Sequence, residues 1–431
     1  MKIAIAGYGV EGQASYRYYS QDPTNAITVF DQNPNLEVPE GVETVLGNDA
    51  FEKLADYDLV LRSPPIHPSL LKTNGKIWSA TNEFFEQCPA QIIGVTGTKG
   101  KGTTASLIAA IFEAAGKKVW LVGNIGISSI DVMAQIQPDD VVVYELSSFQ
   151  LWDLKRSPQT AVVLLIEADH LNIHDNMEDY VHAKGAIREF QQDGDLCVYH
   201  PRNDYSSSIA HNNDKGMIIR YGIKDDGGVY VANGSFYQNE QIICSVEALQ
   251  LIGVHNQENA CAAITVALAH GVTIEAITIG LQTFQGLPHR TEFVRNLDGV
   301  DYYNDSFSSA PSATVAAIRS FEQPEIVVIG GIDKGGDFSE LYSAINAKPN
   351  IKELILIGEI RHKVHKGLHD AGVSAKVTIF DGRTMPEIVD YARSVAVTGD
   401  VVLLSPACAS FDMFKDFYDR GTQFREYVQS L

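Results

Sequence analysis

The feature that most constrains the fold is a unit that occurs twice: a short apolar strand, a glycine-rich turn and a helix. The first unit is KIAIA followed by a turn with Gly7, Gly9 and Gly12, and the second is QIIGVT followed by the turn at 97–104. Strands that read as unbroken apolar runs and alternate with helices are typical of parallel sheets covered by helices on both faces. The sequence therefore predicts an α/β protein.

The same alternation continues along the whole chain, and 431 residues are too many for one ordinary core. We predict three domains: a Rossmann-like domain at 1–90, a central P-loop-type domain with a parallel sheet at 91–286, and a second Rossmann-like domain at 287–431. A Gly-rich stretch at about 215–246 is expected to form a small β insertion. The last block is expected to have strands at EIVVIGG, ELILIG, KVTIF and VVLLS.

Composition argues against several classes of partner. The 54 acidic and 33 basic residues give a net charge of −21, which disfavours nucleic acid and anionic membrane surfaces. Five scattered cysteines without a CxxC pair indicate neither a disulfide framework nor a zinc site. The first residues read as a strand and not as a signal peptide, and no stretch approaches the roughly 20 apolar residues of a membrane span. We therefore expect a cytoplasmic monomer without nucleic-acid or membrane partners.

The first glycine turn has the context of a dinucleotide-binding fold. Gly7, Gly9 and Gly12 follow a strand and open a helix, and Asp31 ends the next strand. Glycines let the backbone approach a pyrophosphate, and an acid at this place can bond a ribose hydroxyl. NAD would fit the pattern and UDP would fit it equally, while a tight turn that binds nothing is the alternative without a ligand.

The second glycine turn is the strongest signal in the sequence. Its predicted ATP-binding residues are Gly97, Thr98, Lys99, Gly100, Lys101, Gly102, Thr103 and Thr104. Such a loop points backbone N–H groups at phosphate oxygens, its lysine neutralises the terminal phosphates, and a hydroxyl reaches Mg²⁺. The turn departs from the usual P-loop at Val95, in place of the first glycine, and at Gly102, in place of the hydroxyl residue. We expect Thr103 to supply that hydroxyl instead.

Two predicted strands end in further candidate residues whose roles the local sequence does not decide. Glu145 ends DVVVYE, where a second acid near Mg²⁺-ATP would lie, although an exposed acid at a strand end needs no ligand. Asp169 and His170 end AVVLLIEADH, where they would bind a metal, orient a substrate or serve the structure alone.

Taken together, these segments resemble the Mur ligases over about residues 5–425. The motifs of the resemblance are SPPIHPS (63–69), TGTKGKGTT (96–104), GNIG (123–126), ELSSFQL (145–151), ADHLNIH (168–174), GVHNQEN (253–259), GLPHRTEFV (286–294), NDS (304–306), GGIDKGGDF (330–338) and LLSPACASFDMFKDFYDRG (403–421). Among Mur ligases, the resemblance is to those that add D-glutamate to UDP-N-acetylmuramoyl-L-alanine. It implies an ATP-dependent ligase that forms an amide bond through an acyl phosphate in peptidoglycan precursor synthesis.

The resemblance assigns roles to single residues. The UDP-linked substrate would be bound by Gly7, Gly9, Val10, Glu11, Gly12, Asp31, Asn124 and His170. ATP would be bound by the 97–104 turn together with Asn256, Asn259, Arg290 and Asp305, and His255 belongs to the same adenine-side segment. D-Glutamate would be received by Lys334, Ser410 and Phe417. The catalytic residues would be Lys101, Glu145, His170 and Lys184.

Two Mg²⁺ sites are also implied by the resemblance. Their protein ligands would be Thr103, Glu145, His170 and Lys184. Lys184 matches the lysine that the family carbamoylates to bind the second Mg²⁺. Without the resemblance, Lys184 would be an ordinary solvated lysine on a helix.

One position departs from the family pattern. Where the family reads Asn-Asp-Ser-Lys, this chain has Asn304, Asp305, Ser306 and Phe307. Three explanations of this difference are open. Lys334 and backbone donors hold the D-glutamate side chain alone, another cation replaces the missing lysine, or the amino acid that is added differs. We expect the first explanation, so that Phe307→Lys improves the affinity for D-glutamate.

Other functions remain open on the residues alone. An NAD-dependent dehydrogenase would use the first glycine turn but would leave the Lys101 turn without a role. A non-catalytic nucleotide-binding regulator would keep that turn but hydrolyse no ATP with any amino acid. A Mur-type ligase for a different amino acid would keep every motif. Folylpolyglutamate synthase also has a glycine after the loop lysine, but the GxGxxG turn and SPACASFDMF argue against it.

Overall fold

The computed structural model describes residues 1–125, 127–224 and 227–431, which fall into two compact units. The first unit consists of residues 1–249 and 257–284, and the second of residues 250–256 and 285–431. The fold is α/β with mainly parallel sheets, as the sequence predicts. Among the helices of the described ranges, none is long and apolar enough to cross a membrane.

The N-terminal part of the first unit is a five-stranded parallel sheet. Its strands are Lys2–Ala6 (β1), Ala26–Asp31 (β2), Glu43–Leu46 (β3), Leu59–Arg62 (β4) and Lys76–Trp78 (β5), and its helices are Val10–Tyr19 (α1) and Ala80–Gln87 (α2). The strand order is β3-β2-β1-β4-β5. The chain direction across the sheet therefore reverses beside β1, where open α/β sheets bind ligands.

Alternate residues of β1 explain why this sheet is buried on both faces. Ala4 and Ala6 pack in one cluster of buried apolar side chains, whereas Ile3 and Ile5 pack in another on the opposite face. Each buried isoleucine contributes roughly 1.5–3 kcal/mol through removal of apolar surface from water. The continuous apolar run of β1 is thus a consequence of two-sided burial.

The central sheet of the first unit has six parallel strands. They are Gln91–Thr96 (β6), Val119–Gly123 (β7), Val141–Glu145 (β8), Thr160–Val163 (β9), Leu196–Tyr199 (β10) and Met217–Arg220 (β11), in the order β11-β10-β9-β6-β8-β7. The helices are Lys101–Ala114 (α3), Ser129–Val132 (α4), Ser148–Leu151 (α5), Met177–Glu189 (α6), Asp204–Ala210 (α7), Val254–Ala269 (α8) and Ile274–Thr283 (α9). The order again reverses at the strand that precedes a glycine turn, here β6.

The predicted β insertion is narrower than 215–246. Its three antiparallel strands are Tyr230–Ala232 (β12), Ser235–Gln238 (β13) and Gln241–Ser245 (β14). Met217–Arg220 pairs in parallel with β10 and is the edge strand of the central sheet. The domain limit predicted at 90/91 falls inside the first compact unit, between its two parallel sheets, and the three domain ranges remain a prediction.

The second unit contains a six-stranded sheet. Its strands are Glu292–Leu297 (β15), Val300–Asn304 (β16), Glu325–Gly330 (β17), Ile351–Ile357 (β18), Lys376–Ile379 (β19) and Val401–Leu404 (β20), in the order β15-β16-β20-β17-β18-β19. The helices are Pro311–Ile318 (α10), Ser339–Asn346 (α11), Arg361–Asp370 (α12), Met385–Val395 (α13) and Phe417–Ser430 (α14). The four strands predicted for this block are confirmed as β17 to β20, and the antiparallel hairpin β15–β16 was not predicted.

Candidate active site

Two glycines give the turn after β6 its shape. Gly97 has a φ of +151°, and a Cβ there would lie 2.7 Å from Cβ of Leu164. Gly100 has a φ of +82°, and a Cβ there would lie 2.4 Å from Oδ1 of Asn259. Both positions thus require glycine. Helix α3 begins directly afterwards at Lys101, so its first N–H groups and the positive end of its dipole lie at the turn, an arrangement that binds anions.

Thr98 ties this turn to the segment after β9. Its backbone N–H donates to the carbonyl of Leu165 over 2.8 Å, and its hydroxyl lies 3.0 Å from the carbonyl of Glu167 and 3.1 Å from the Tyr180 hydroxyl. Lys99, in contrast, is exposed and forms a surface ion pair with Glu167. The turn is therefore held from within by neutral hydrogen bonds, and Lys99 contributes little to its shape.

Two lysines converge on one carbonyl oxygen of the turn. Nζ of Lys101 lies 3.1 Å and Nζ of Lys184 lies 2.8 Å from the carbonyl oxygen of Gly97. Lys184 is only 1% exposed, and its ammonium lies 4.6 Å from the centre of the Tyr180 ring. The sequence prediction of a solvated helix lysine, in the absence of the family resemblance, is wrong because α6 directs Lys184 into the turn after β6.

The environment of Lys184 favours its uncharged form. Burial lowers its pKa well below the usual value, and the positive charge of Lys101 lowers it further. The carboxylates of Asp169 and Glu145 act in the opposite sense and do not reverse the shift. Lys184 is thus an amine with an enhanced neutral fraction beside a phosphate-type turn, which is typical of functional lysines.

The first turn of α3 presents two hydroxyl residues after Gly102. Thr103 is partly buried. Thr104 is fully buried, and its hydroxyl has no hydrogen-bond partner among the described residues. Thr103 remains the predicted replacement for the missing P-loop hydroxyl, with Thr104 as a second hydroxyl of the same turn.

Glu145 and Asn124 form a polar pair at the ends of β8 and β7. Glu145 is 6% exposed, and its Oε1 accepts a hydrogen bond of 3.0 Å from Nδ2 of Asn124. The backbone N–H of Asn124 also donates to the carbonyl of Glu145 over 2.9 Å. The structure thus joins a predicted metal ligand to a predicted substrate residue. Gly126, the last residue of the GNIG motif, lies outside the described residues.

His170 lies in a strained part of the segment after β9. Its φ is +54°, its ring is exposed, and Nε2 lies 3.5 Å from Oδ2 of Asp169. The ring also contacts Phe149 at a centroid distance of 5.0 Å. A positive φ outside glycine is uncommon and is often found at functional positions. Within the described ranges, no hydrogen bond links His170 directly to Lys184, Glu145 or Thr103.

A second histidine in this segment, His174, was not singled out from the sequence. It is buried, its Nδ1 lies 2.6 Å from Oδ2 of Asp179, and its Nε2 lies 2.9 Å from the Ser148 hydroxyl. Its ring stacks on Phe149, which contacts His170. Burial lowers the pKa of His174. His174 therefore connects α5 and α6 behind His170, and its place at the end of ADHLNIH was its only sequence signal.

Arg62 also escaped sequence analysis, although it joins the two sheets of the first unit. It is fully buried, and its Nη2 and Nε donate to both carboxylate oxygens of Asp153 over 2.6 and 2.9 Å. Nη2 also donates to the carbonyl of Phe149. A bidentate, completely bonded arginine gives defined geometry. The end of β4 is thereby fixed against the ELSSFQL segment.

The first glycine turn contains one glycine that faces open space. A Cβ at Gly7 would lie 2.8 Å from Cδ1 of Ile66, and one at Gly12 would lie 2.1 Å from the carbonyl oxygen of Gly7. At Gly9, no described atom would lie within 4 Å of an added Cβ. Gly7 and Gly12 are therefore needed by the fold itself, whereas the absence of a side chain at Gly9 leaves room for a ligand.

Two carboxylates lie at this first turn. Oδ2 of Asp31 accepts the backbone N–H of Tyr8 over 2.9 Å, so Asp31 holds the turn. Val10 is exposed at the start of α1, while Glu11 turns inward and its Oε1 accepts a hydrogen bond of 2.7 Å from Gln150. Oε2 of Glu11 is enclosed without a hydrogen-bond partner in the described part of the chain, and burial raises the pKa of this carboxyl.

In the second unit, Asp305 is a buried carboxylate held by hydroxyl and backbone donors. Oδ2 accepts a hydrogen bond of 2.7 Å from Ser405, and Oδ1 accepts one of 3.0 Å from the N–H of Thr291. Burial raises the pKa of Asp305 to about 6. The neighbouring Ser306 is bonded by the buried Arg420, whose Nη2 donates to its carbonyl over 2.8 Å. The NDS motif is thus part of a buried polar network.

Phe307, the residue that departs from the family pattern, contacts two predicted site residues. The guanidinium carbon of Arg290 lies 3.7 Å from the centre of its ring. The ring also meets Phe417 edge-on at 5.0 Å. Arg290 already belongs to the residues predicted for ATP, so this contact adds no further cation for D-glutamate, and the expected effect of Phe307→Lys on D-glutamate affinity stays a prediction.

The remaining predicted residues of the second unit lie in separate segments. Lys334 is exposed, with its ammonium 5.7 Å from the centre of the Phe411 ring. Ser410 is buried. His255 is exposed near the start of α8, and Nδ2 of Asn256 donates to the carbonyl of Ile252 over 2.8 Å. Each of these positions remains a prediction.

The donor chemistry of the first unit fits magnesium if further oxygen ligands are supplied. Within residues 1–125, 127–224 and 227–431, no group of three His, Cys, Asp or Glu side chains lies close enough to hold a metal. Mg²⁺ typically keeps waters and uses one or two carboxylates together with substrate phosphates. Glu145 is such a carboxylate, and a carbamate on Lys184 would add another oxygen ligand.

Two parts of the chain match known protein families. Residues 95–267 match the Mur ligase middle domain, and residues 289–408 match the glutamate ligase domain of Mur ligases. The first range contains the turn with its two lysines, and the second contains the NDS network.

Curated relatives are similar over the full length. A protein of Clostridium tetani named UDP-N-acetylmuramoylalanine--D-glutamate ligase is 35% identical over 450 residues, which cover 100% of this chain and 97% of the relative. A protein of Clostridium kluyveri with the same name is 36% identical over 448 residues, with the same coverage.

Solved structures share the fold at low sequence identity. The alanine ligase MurC of Thermotoga maritima has a TM-score of 0.62 and 17% identity, covering 100% of this chain and 99% of that one. MurF of Acinetobacter baumannii has a TM-score of 0.63 and 15% identity, covering 99% and 93%. At these identities the likeness concerns the fold alone.

Proposed function

The chain belongs to the Mur ligase family, and from this premise we propose that it is an ATP-dependent ligase that adds D-glutamate to UDP-N-acetylmuramoyl-L-alanine in peptidoglycan precursor synthesis. The observation that carries the proposal is the full-length similarity, at 35% and 36% identity, to two proteins named for this reaction. The convergence of Lys101 and Lys184 on one turn supports it independently, because such a turn suits a polyphosphate.

The reaction has to activate a carboxylate, which cannot accept an amine while its leaving group is oxide. In the first step, an oxygen of the L-alanine carboxylate bonds to the γ-phosphorus of ATP and the bond from that phosphorus to the bridging oxygen breaks, releasing ADP. In the second step, the amine of D-glutamate bonds to the acyl carbon, phosphate leaves, and the nitrogen loses a proton. Positioning and charge neutralisation account for most of the catalysis of phosphoryl transfer.

The turn at 97–104 is proposed to bind the ATP phosphates. Its backbone N–H groups and the N-terminus of α3 supply partial positive charge, and Lys101 supplies a full charge. In the structure, Nζ of Lys101 donates hydrogen bonds to two carbonyl oxygens of the turn, that of Gly97 over 3.1 Å and that of Thr98 over 2.9 Å. These are weak neutral acceptors that phosphate oxygens would replace.

Thr103 and Glu145 are proposed to hold one Mg²⁺, and His170 with a carbamoylated Lys184 to hold a second. When bound, Mg²⁺ neutralises charge on the phosphoryl oxygens. Carbamoylation needs a neutral amine, which attacks the carbon of CO₂ and then loses a proton. The burial of Lys184 and its lowered pKa support that step. The product replaces an ammonium by a carboxylate-like group, which suits a hard cation.

The substrates are proposed to divide among the segments as the family resemblance assigns them. The first glycine turn, with Val10, Glu11 and Asp31, receives the UDP part, and Asn124 and His170 receive the muramoyl-peptide part. Asn256, Asn259, Arg290 and Asp305 serve ATP, with His255 in the adenine-side segment. Lys334, Ser410 and Phe417 receive D-glutamate. We further propose that the protein is cytoplasmic, since ATP and UDP-linked precursors are cytoplasmic, and that it acts as a monomer.

The test is phosphate release with UDP-N-acetylmuramoyl-L-alanine, ATP, Mg²⁺ and a panel of D- and L-amino acids, with the ligated product identified by its mass. D-Glutamate is expected to give the highest kcat/KM. A different preferred amino acid would replace the substrate assignment, and absence of release with every amino acid would overturn the ligase assignment. Omission of the UDP-linked substrate is the control, since it removes the acceptor for phosphoryl transfer.

A further inference from the structure

Phe307 stands where a ligand-binding cation is expected, yet its own side chain is apolar. The Phe307 ring is 40% exposed, and the guanidinium carbon of Arg290 lies 3.7 Å from its centre. At this distance the face of the ring and the guanidinium are in direct cation–π contact. The two side chains therefore form one unit at the surface of the second compact unit, which we call the Arg290–Phe307 pair.

The backbone and a second ring determine the geometry of this pair. The N–H of Phe307 donates to the carbonyl of His289 over 2.9 Å, which brings residue 290 next to residue 307. On its edge, the Phe307 ring meets Phe417 at 5.0 Å and an interplanar angle of 86°. The hydroxyl of Ser306 donates to the carbonyl of Phe417 over 2.9 Å and ties the start of α14 to the same place. The position of the Phe307 ring is thus fixed by contacts other than the one with Arg290.

We infer that Phe307 is a positioning residue for Arg290 and that it holds the guanidinium in the conformation that binds ATP. The inference rests on the proposed function, which assigns Arg290 to ATP. An arginine side chain loses rotamer freedom when it is held in one geometry, and a preformed aromatic face reduces the loss that remains to be met when the ligand binds.

This inference adds an effect on ATP affinity to what is expected when the family residue is restored. A lysine at position 307 would place an ammonium beside the guanidinium of Arg290, and like charges at contact distance repel. It would also remove the face on which the guanidinium stacks. The affinity for ATP should therefore fall in Phe307→Lys, in contrast to the improvement in D-glutamate affinity that the sequence alone suggested for the same substitution.

The test measures KM for ATP and kcat in Phe307→Leu, Phe307→Tyr and Phe307→Lys. Loss of an exposed cation–π contact should raise KM for ATP about two- to fivefold in Phe307→Leu, with kcat and melting temperature nearly unchanged. Phe307→Tyr keeps the aromatic face and should recover most of that loss. Phe293→Leu changes another half-exposed phenylalanine of the same unit and serves as the matched control, with KM expected to stay at the wild-type value.

A double-mutant cycle separates pairing from a general effect of the ring. If Phe307 acts through Arg290, Phe307→Leu should raise KM for ATP in the wild type but not in Arg290→Ala. Additive effects, an unchanged KM in Phe307→Leu, or a lower KM in Phe307→Lys would each overturn the inference. The same variants titrated with ATP by calorimetry separate this inference from the proposed function. A wild type that binds ATP but ligates no D-glutamate refutes only the latter.

Discussion

The two glycine turns of the first unit have the same local architecture and different side chains in contact with it. Each follows a central parallel strand at a reversal of strand order and leads into a helix. The carboxylates of Asp31 and Glu11 lie at the turn after β1, whereas the amino groups of Lys101 and Lys184 contact the turn after β6. The backbone thus provides a phosphate-type cradle twice, and the side chains decide which phosphate compound each cradle suits.

The difference shows how one motif serves two kinds of ligand. A nucleoside diphosphate that is bound but not cleaved needs backbone donors and a partner for its ribose, and a carboxylate such as Asp31 can be that partner. A triphosphate that reacts needs full positive charge where negative charge develops. A buried side chain whose pKa is shifted toward the neutral form lies beside each turn. It is Glu11 at the first turn and Lys184 at the second.

Removal of Lys184 should have the largest effect. Lys184→Ala removes the proposed carbamate and is expected to lower kcat/KM on the order of 10³-fold, because a preorganised charge near the phosphoryl group is lost. A small added carboxylate such as acetate should restore part of the activity. Lys118→Ala is the control, since Lys118 is an exposed lysine of the same unit that has no assigned role and forms a surface ion pair with Asp140. Unchanged activity in Lys184→Ala would remove the main contrast between the turns.

Removal of Lys101 should come next. Lys101→Ala is expected to lower kcat/KM about 10²-fold with an unchanged circular dichroism spectrum, because its ammonium faces the turn carbonyls and not an apolar core. Steady-state kinetics at saturating UDP-linked substrate provides the measurement. If the variant retained more than about a tenth of the wild-type activity, the turn after β6 would not be the phosphate site.

The two glycines of the first turn separate ligand binding from folding. Gly9→Ala adds a methyl group into open space and should leave the melting temperature unchanged while it raises KM for the UDP-linked substrate roughly tenfold. Gly12→Ala places a Cβ 2.1 Å from the carbonyl oxygen of Gly7 and should lower the melting temperature. A Gly9→Ala enzyme with a normal KM would mean that the UDP part binds elsewhere.

Glu11 and Lys184, the buried groups beside the two turns, should affect stability with opposite pH dependences. The expected effects are a few degrees in melting temperature. The folded pKa of Glu11 lies above its ordinary value of 4.5, so the folded protein loses stability as pH rises from 4.5 through that folded pKa. Glu11→Gln should therefore stabilise more at high pH than at low pH. The folded pKa of Lys184 lies below its ordinary value of 10.5, so stability rises with pH between the two values.

Lys184→Met should consequently stabilise more at low pH than at high pH. Thermal denaturation of both variants and the wild type over a pH series, without added Mg²⁺ or bicarbonate, measures the two slopes. If the stabilisation by both substitutions changed with pH in the same direction, the pKa shifts of Glu11 and Lys184 would not be opposite in their effect on stability, and this contrast between the turns would be wrong.

The sequence predicted the strands and turns well because parallel strands buried on both faces read as continuous apolar runs. The partly exposed edge strand at Met217–Arg220 was misassigned to the β insertion. The hairpin β15–β16 was missed because its first strand, Glu292–Leu297, is mostly accessible and mixed in polarity. The sequence does contain a signal for this hairpin, the pair Asp298-Gly299, which is typical of a two-residue type I′ turn. Both residues have the positive φ that such a turn requires.

The predicted site residues came from motifs, and the structure shows contacts that motifs do not contain. No local pattern indicates that Lys184 is buried or that Arg62 joins two sheets, because both depend on packing between segments distant in sequence. The same holds for His174, whose partners Ser148 and Asp179 come from two different helices. The stack of Arg290 on Phe307 likewise became visible only when the backbone brought the two segments together.

The most direct test of the contrast between the turns is a nuclear magnetic resonance spectrum of the protein in carbon-labelled bicarbonate. A neutral, buried Lys184 should add CO₂ and give a carbamate carbon signal separate from that of bicarbonate. The account predicts this signal in the wild type and in Lys99→Ala, and its absence in Lys184→Met. A wild-type spectrum without the signal, or a signal that persists in Lys184→Met, would contradict it.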